Sequence, residues 1–232
     1  MSTTNIHTEI RPVANFDQVF IRGITCSAQL FITQGERERL TIEAPFEYLR
    51  RLRSEVNDGK LTVRLEGSWL EELEYALATG SDKPHVLYRL DVRALTCLHV
   101  QCVYSIYAAR IETPHLRLRL DGAGDFRLDQ LSAQTLDLHH SGAGGVQISG
   151  DVHDQTVVLN GAGSYNAPGL CSQRARVRIL GTSAARLHVV QQLDVTLRGA
   201  GLLEYSGSPA VFKRISGPGQ ILQTVEAEGK RG

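Results

Sequence analysis

Three aspartates near the middle of the sequence have the clearest potential for chemistry. Asp121, Asp125 and Asp129 follow one another at four-residue intervals. Carboxylates placed close together can cleave a glycosidic bond by acid–base catalysis or hold a calcium ion. In the repeats that follow along the chain, the place of Asp121 is taken by Ser141, Asn160, Leu180 and Arg198. No acidic groove continues from repeat to repeat, so the sequence favours solvated turn residues over a catalytic or metal site.

The second candidate is His140, which interrupts a series of aliphatic residues. One interpretation is a ligand or a pH-sensitive group; the favoured one is a buried imidazole that is hydrogen-bonded to a backbone group. Serine, histidine and aspartate are all present, but the chain has no Gly-x-Ser-x-Gly elbow. That elbow is one recognisable signature of a serine nucleophile. The sequence therefore supports no catalytic triad, and we predict no enzymatic activity.

Short glycine-rich segments recur through the second half of the chain. Gly-Ala-Gly begins at Gly122, Gly142, Gly161 and Gly199, and degenerate copies begin at Gly181 and Gly217. A phosphate-binding loop needs a helix N-terminus after its glycines, whereas each copy here precedes strand-like alternation. We predict that these glycines are structural corners, where the backbone needs a positive φ or leaves no room for a side chain.

The cysteines give no sign of a metal or redox centre. Cys26, Cys97, Cys102 and Cys171 contain no Cys-x-x-Cys pair. Their spacing argues against a zinc site or a thioredoxin-type motif. It neither supports nor excludes disulfides, and small apolar core residues are the favoured interpretation. We predict neither a metal nor a cofactor.

The glycine corners belong to a repeat of about 19 residues. Apolar residues recur at fixed distances from each corner. Four residues before the corners lie Leu118, Leu138, Val157, Val177 and Val195. Near the middle of the intervals lie Ile111, Leu131, Val152, Leu170 and Val190. Apolar and polar residues alternate within each unit, which indicates strands with one buried face.

A unit of this length has no room for a crossover helix and cannot bury its own apolar face. Stacking the units buries that face, because equivalent residues then form ladders inside a tube. The predicted fold is all-β: a parallel β-helix, or solenoid, with about six or seven coils over residues 98–223. Residues 1–97 are predicted to form an N-terminal β region of irregular coils, and residues 224–232 a polar tail.

Within the N-terminal region, residues 66–84 interrupt the strand pattern. Trp69, Leu70, Leu73 and Leu77 have helical spacing, with glutamates between them. An apolar stripe on an insertion either caps the open end of the solenoid or docks on another subunit. We expect a cap, and these four residues are the candidate partner surface. A short helical turn is also predicted within residues 47–56.

Composition narrows the classes of partner. The chain has 25 Lys and Arg against 25 Asp and Glu, for a formal net charge of zero. Nucleic-acid binders normally carry a basic excess, so nucleic acid is not predicted as a partner. No run of apolar residues is long enough for a membrane span. The first ten residues lack the features of a secretory signal, which predicts a cytoplasmic protein if Met1 is the native start.

The order of several short motifs resembles the head GIN domain family of auto-transporter adhesins. The family opens with an aromatic-Asp strand, a Gly-hydrophobic pair and a Thr-Gln-Gly turn, similar to Phe16-Asp17, Gly23-Ile24 and Thr33-Gln34-Gly35. Its run of Ser/Asn-Gly-Ala units is matched by Ser141-Gly142-Ala143 and Asn160-Gly161-Ala162. The resemblance covers about residues 14–223. It implies a β-helical fold and an exported, cell-envelope location, and it implies no known reaction.

The residues and the resemblance together predict a non-enzymatic structural or adhesive binding module of the bacterial cell envelope type. Its rigid solenoid would present a surface to a glycan or protein ligand, or to another subunit of a homo-oligomer. Two alternatives remain open. One is a polysaccharide-active β-helix enzyme that uses the three aspartates, and the other is a scaffold that self-assembles end to end.

Overall fold

The computed structural model describes residues 5–66 and 85–224, and these residues are almost all in strands. The elements in chain order are β1 (Ile6–Arg11), β2 (Gln18–Gln34), β3 (Arg39–Pro45), α1 (Phe46–Arg51), β4 (Leu52–Asn57), β5 (Lys60–Leu65), β6 (His85–Val92), β7 (Cys97–Ala143), β8 (Gly145–Gly161), β9 (Ser164–Gly181), β10 (Ala184–Gly199), β11 (Leu202–Ser206), β12 (Ala210–Ser216) and β13 (Gln220–Gln223). Within the described ranges, no helix has the length and hydropathy needed to cross a bilayer.

Parallel pairing between successive turns winds most of the chain into a solenoid. β2 pairs with β7, and β7, β8, β9 and β10 then stack in sequence order, always in parallel. Equivalent positions lie opposite one another: Leu138 pairs with Val157, and Val157 pairs with Val177. The predicted all-β solenoid is therefore confirmed.

The number of turns was predicted too high. The solenoid makes about five turns, against the six or seven expected from the repeat. β7 to β10 are long strands that pass from wall to wall with little interruption, and β7 alone covers 47 residues. The last repeats break into the short strands β11, β12 and β13. After the corner at Gly217, the described residues contain only the short strand β13.

The core is a set of aliphatic ladders inside the tube. Leu159, Ile179 and Leu197 occupy one ladder, and none of them is exposed to solvent. Alternation fails at one predicted core position: Val190 is 40% exposed, and Val189 is buried in its place. The reason is a shift in the register between β9 and β10 beside this residue, because a slip of one residue turns every side chain to the opposite face.

Returning strands close the N-terminal end of the solenoid. β5 and β6 pair in parallel with the edge of β2 opposite β7. β3 pairs antiparallel with β6, β1 with β3, and β4 with β5. The predicted helical turn is present as α1, but the rest of that segment is strand β4. The cap predicted from Trp69, Leu70, Leu73 and Leu77 falls on residues 67–84, outside the described residues, as does most of the predicted tail (225–232).

Candidate functional site

The six glycines that begin the repeats lie in one row along an edge of the solenoid. Their φ angles range from +115° to +134°, a region that L side chains rarely adopt. A Cβ atom on Gly161 would lie 2.6 Å from the carbonyl oxygen of Gly142, and one on Gly181 would lie 2.7 Å from that of Gly161. The same close approach continues at Gly199 and Gly217. Only a hydrogen atom fits at these corners.

Hydrogen bonds between neighbouring coils run beside this glycine row. The amide of Ala162 donates to the carbonyl oxygen of Gly142 at 3.1 Å, and the amide of Thr182 donates to that of Gly161 at 3.0 Å. The missing side chains let the coils approach closely enough for these bonds to form. The corner glycines of successive coils therefore lie directly opposite one another.

Two of the three aspartates named as candidates for chemistry, Asp121 and Asp125, form hydrogen bonds near the corner at Gly122. Asp121 accepts a hydrogen bond from Arg119 Nε at 2.9 Å and lies 3.0 Å from His99 Nε2. Partial burial alone would raise the pKa of Asp121, but the hydrogen bonds from Arg119 and His99 outweigh it and lower that pKa. Asp125 accepts from the backbone amide of Gly145 at 2.9 Å, across one coil step.

The third aspartate has its own partners on the next wall. Asp129 accepts hydrogen bonds from Arg127 Nε at 2.6 Å and from the Tyr107 hydroxyl at 2.8 Å. Arg127 contributes most to lowering the pKa of this carboxyl, followed by Tyr107. The three aspartates therefore have separate hydrogen-bond partners, and the pKa is lowered at Asp121 and Asp129. In residues 5–66 and 85–224, no three acidic, histidine or cysteine side chains are arranged to hold a metal ion.

His140 lies inside the tube, with only 1% of its surface exposed. Its Nδ1 atom is 3.2 Å from the carbonyl oxygen of Leu120 and 3.4 Å from the Tyr104 hydroxyl. Its Nε2 atom has no hydrogen-bond partner among the described residues. A Cβ atom on Gly163 would collide with this edge of the ring. The imidazole therefore fills space that a glycine of the next coil leaves free.

Three of the cysteines lie in the described part of the chain. Cys97, Cys102 and Cys171 are all half-buried, and Cys97 and Cys171 are free thiols. Burial raises the pKa of the Cys97 thiol above its usual value. A thiol of that kind is a poor nucleophile, because the thiolate is the reactive form.

One outer wall carries a group of arginines that sequence reasoning missed. We call Arg176, Arg178, Arg198 and Arg214 the arginine face. Arg176 and Arg178 lie on β9, Arg198 on β10 and Arg214 on β12, and all four side chains are exposed. The alternation Arg174-Ala175-Arg176-Val177-Arg178 was a visible signal. It shows arginines on one side of one strand, but only the register between strands brings in the other two.

Comparisons with known proteins give a matching family and several structures with a similar fold. The family described as "Putative auto-transporter adhesin, head GIN domain" matches residues 15–209. No protein of curated function matches the sequence. A crystal structure of a putative adhesin from Bacteroides fragilis NCTC 9343 is similar, with a TM-score of 0.79 and 18% identity over 96% of this chain and 98% of that one.

Two further structures share the fold at similar identity. A putative adhesin from Parabacteroides merdae ATCC 43184 has a TM-score of 0.67 and 15% identity over 96% of this chain and 97% of that one. A putative lipid binding protein from Parabacteroides distasonis ATCC 8503 has a TM-score of 0.67 and 16% identity over 96% of this chain and 98% of that one. The chain belongs to the head GIN domain family, whose model matches most of its length.

Proposed function

We propose that this protein is a non-enzymatic adhesive module of the bacterial cell envelope, in which a rigid solenoid presents an outer wall to a ligand. The names of the family and of its structural neighbours support an adhesive role. The observation that carries the proposal is the parallel stack itself. Each coil is bonded to the next along its walls, so outward side chains such as Arg178 and Thr196 lie in fixed rows at the coil spacing.

Catalysis is disfavoured by the partners of the aspartates. A general acid needs a raised pKa, whereas the pKa values of Asp121 and Asp129 are lowered by arginine partners. Asp125 is tied to a backbone amide of the next coil. Neither Asp121 nor Asp129 therefore has the raised pKa that a general acid needs.

A panel of neutral and acidic polysaccharides tests the proposal. Binding is measured by biolayer interferometry, and cleavage is followed by the appearance of reducing ends. We expect saturable binding to at least one member without cleavage, in both the parent protein and Asp125→Asn. Cleavage that Asp125→Asn abolishes would establish an enzyme. A protein that binds no polysaccharide and captures no envelope protein is not an adhesive module.

End-to-end self-assembly is a second candidate, favoured by the C-terminal end of the solenoid. β12 pairs only with β10 and β13 only with β11 among the described strands. Phe212, Ile215 and Leu222 are 59%, 45% and 44% exposed there. Open strand edges with apolar side chains are ready templates for pairing with another chain. Light scattering tests this candidate. Self-assembly is established if the particles grow with protein concentration and Ile215→Lys disperses them. A monomer at all concentrations refutes it.

A further inference from the structure

No described carboxylate forms an ion pair with Arg176, Arg178, Arg198 or Arg214 of the arginine face, although Asp194 lies opposite Arg176 in the register of β9 and β10. Two other exposed arginines, one on β9 and one on β10, are paired instead. Arg174 bonds Asp154 at 2.6 Å and 2.9 Å, and Arg186 bonds Glu204 at 2.5 Å. The chain as a whole is neutral, so this wall concentrates positive charge locally.

The register places the four cations close together. Arg178 pairs with Thr196, and Thr196 pairs with Arg214 on the next coil. Arg176 precedes Arg178 by two residues, and Arg198 follows Thr196 by two, so all the side chains point outward on the same wall. With coils about 4.8 Å apart and about 3.3 Å per residue, the four cations occupy roughly 10 by 13 Å.

Two adjoining open grooves run between these arginines. Their volumes are about 500 Å³ and 630 Å³, and Arg178 and Arg214 line both of them. The hydroxyl side chains of Thr196 and Ser216 line the first groove. The exposed ring of Phe212 lines the second. Asp194 lies in the second groove and accepts a hydrogen bond from Gln192 at 2.9 Å.

The chemistry of this wall indicates its ligand. Guanidinium groups match carboxylate and sulfate groups with two parallel hydrogen bonds. Hydroxyl side chains match the hydroxyls of a sugar, and an exposed ring such as Phe212 can pack against the apolar face of a sugar. Because Arg178 and Arg214 lie in one row two coils apart, with Thr196 between them, they suit anionic groups spaced along a chain better than a single small anion.

Resting on the proposed adhesive function, we propose that the arginine face binds a linear acidic polysaccharide. Carboxylate or sulfate groups pair with Arg178, Arg198 and Arg214, and sugar rings occupy the two grooves. A nucleic acid fits less well, because its binders neutralise many phosphates and carry a basic excess, whereas this chain carries none. An anionic membrane also fits less well, because membrane-surface binding combines basic residues with a wide apolar face. Here the apolar residues Phe212, Ile215 and Leu180 are interspersed with arginines and hydroxyl side chains along the two grooves.

Two double variants that have the same net charge as each other test the proposal. Arg178→Gln/Arg214→Gln removes two cations from the arginine face. Arg50→Gln/Arg110→Gln removes two exposed cations from elsewhere, since Arg50 is on α1 and Arg110 is on another wall. Affinity is measured for polygalacturonate, alginate, heparin and neutral dextran, together with duplex DNA and vesicles of phosphatidylglycerol and phosphatidylcholine. Circular dichroism melts show whether the variants remain folded.

We expect the parent protein to bind at least one acidic polysaccharide and not dextran, with affinity that falls as salt rises. The arginine-face variant should lose about tenfold or more in affinity, and the control variant should stay within about twofold. Acidic polysaccharide binding that the arginine-face variant retains would overturn this inference and leave the adhesive function standing. Binding to DNA or to anionic vesicles with none to acidic polysaccharides would also overturn it. If no polysaccharide binds and no envelope protein is captured, the adhesive function itself fails.

Discussion

Substitution of one corner glycine tests the physical basis of the stack. In Gly161→Ala, the new methyl group would lie 2.6 Å from the carbonyl oxygen of Gly142, and the backbone would keep a φ of +121°. Holding a non-glycine residue in such a region costs about 1–3 kcal/mol. The contact with a backbone atom adds to that cost, because neither coil can move without disturbing the bond from Ala162 to Gly142. We therefore expect a loss of about 2–4 kcal/mol in the free energy of unfolding.

Thermal denaturation followed by circular dichroism measures this loss. For a chain of this size, it corresponds to a fall of about 5–15 °C in Tm. Gly35→Ala is the matched control: a Cβ atom at Gly35 would have no neighbour within 4 Å, and its φ is not positive. Its Tm should stay within about 2 °C of the parent value. If Gly161→Ala and Gly35→Ala have the same Tm, the glycine row does not set the coil spacing and the reasoning is refuted.

Three further predictions concern the core and the ion pairs. Leu159→Asp should lower the free energy of unfolding, measured by urea denaturation, by more than about 4 kcal/mol, because it places a charge in the dry interior. Val158→Asp on the outer wall should lower it by less than about 1 kcal/mol. Equal losses would contradict the model of stacked aliphatic residues. Tyr165→Phe should lower the free energy of unfolding by about 1–2 kcal/mol, because the buried hydroxyl donates to Gln155 Oε1 at 2.8 Å and its loss leaves that acceptor unpaired. An unchanged Tm would refute this prediction. The hydrogen bonds from its arginine partner on the next coil lower the pKa of Asp154. The stability that Asp154 contributes is therefore present above about pH 4 and is lost as pH falls through that lowered pKa. The difference in Tm between the parent protein and Asp154→Asn should therefore shrink as the pH falls from neutral to about 2. A difference that stays constant over this range would contradict the prediction.

Sequence reasoning could predict the stack because the repeat is nearly regular. Ladder residues such as Leu138, Val157 and Val177 recur at one distance from each glycine corner, and the strands they form pair in parallel. Local alternation was enough to place these side chains inward. It failed at Val190, where a register shift that has no marker in the sequence turns the chain by one residue.

The pairing of strands that are distant along the chain could not be predicted from the sequence. β5 and β6 come after β2 along the chain, yet they pair with the edge of β2 that faces away from β7. No local pattern distinguishes this arrangement from strands stacked in chain order. The arginine face was missed for the same reason, because Arg178 and Arg214 are far apart in sequence and share a wall only through their common neighbour Thr196.

The most direct test of the account maps the ligand on the protein surface. Arginines are modified with phenylglyoxal with and without the acidic polysaccharide that binds most tightly, and mass spectrometry measures the modification at each site. The account predicts that Arg178, Arg198 and Arg214 become protected when the polysaccharide is bound, while Arg110 reacts equally in both samples. Protection at Arg110 with none on the arginine face would contradict it.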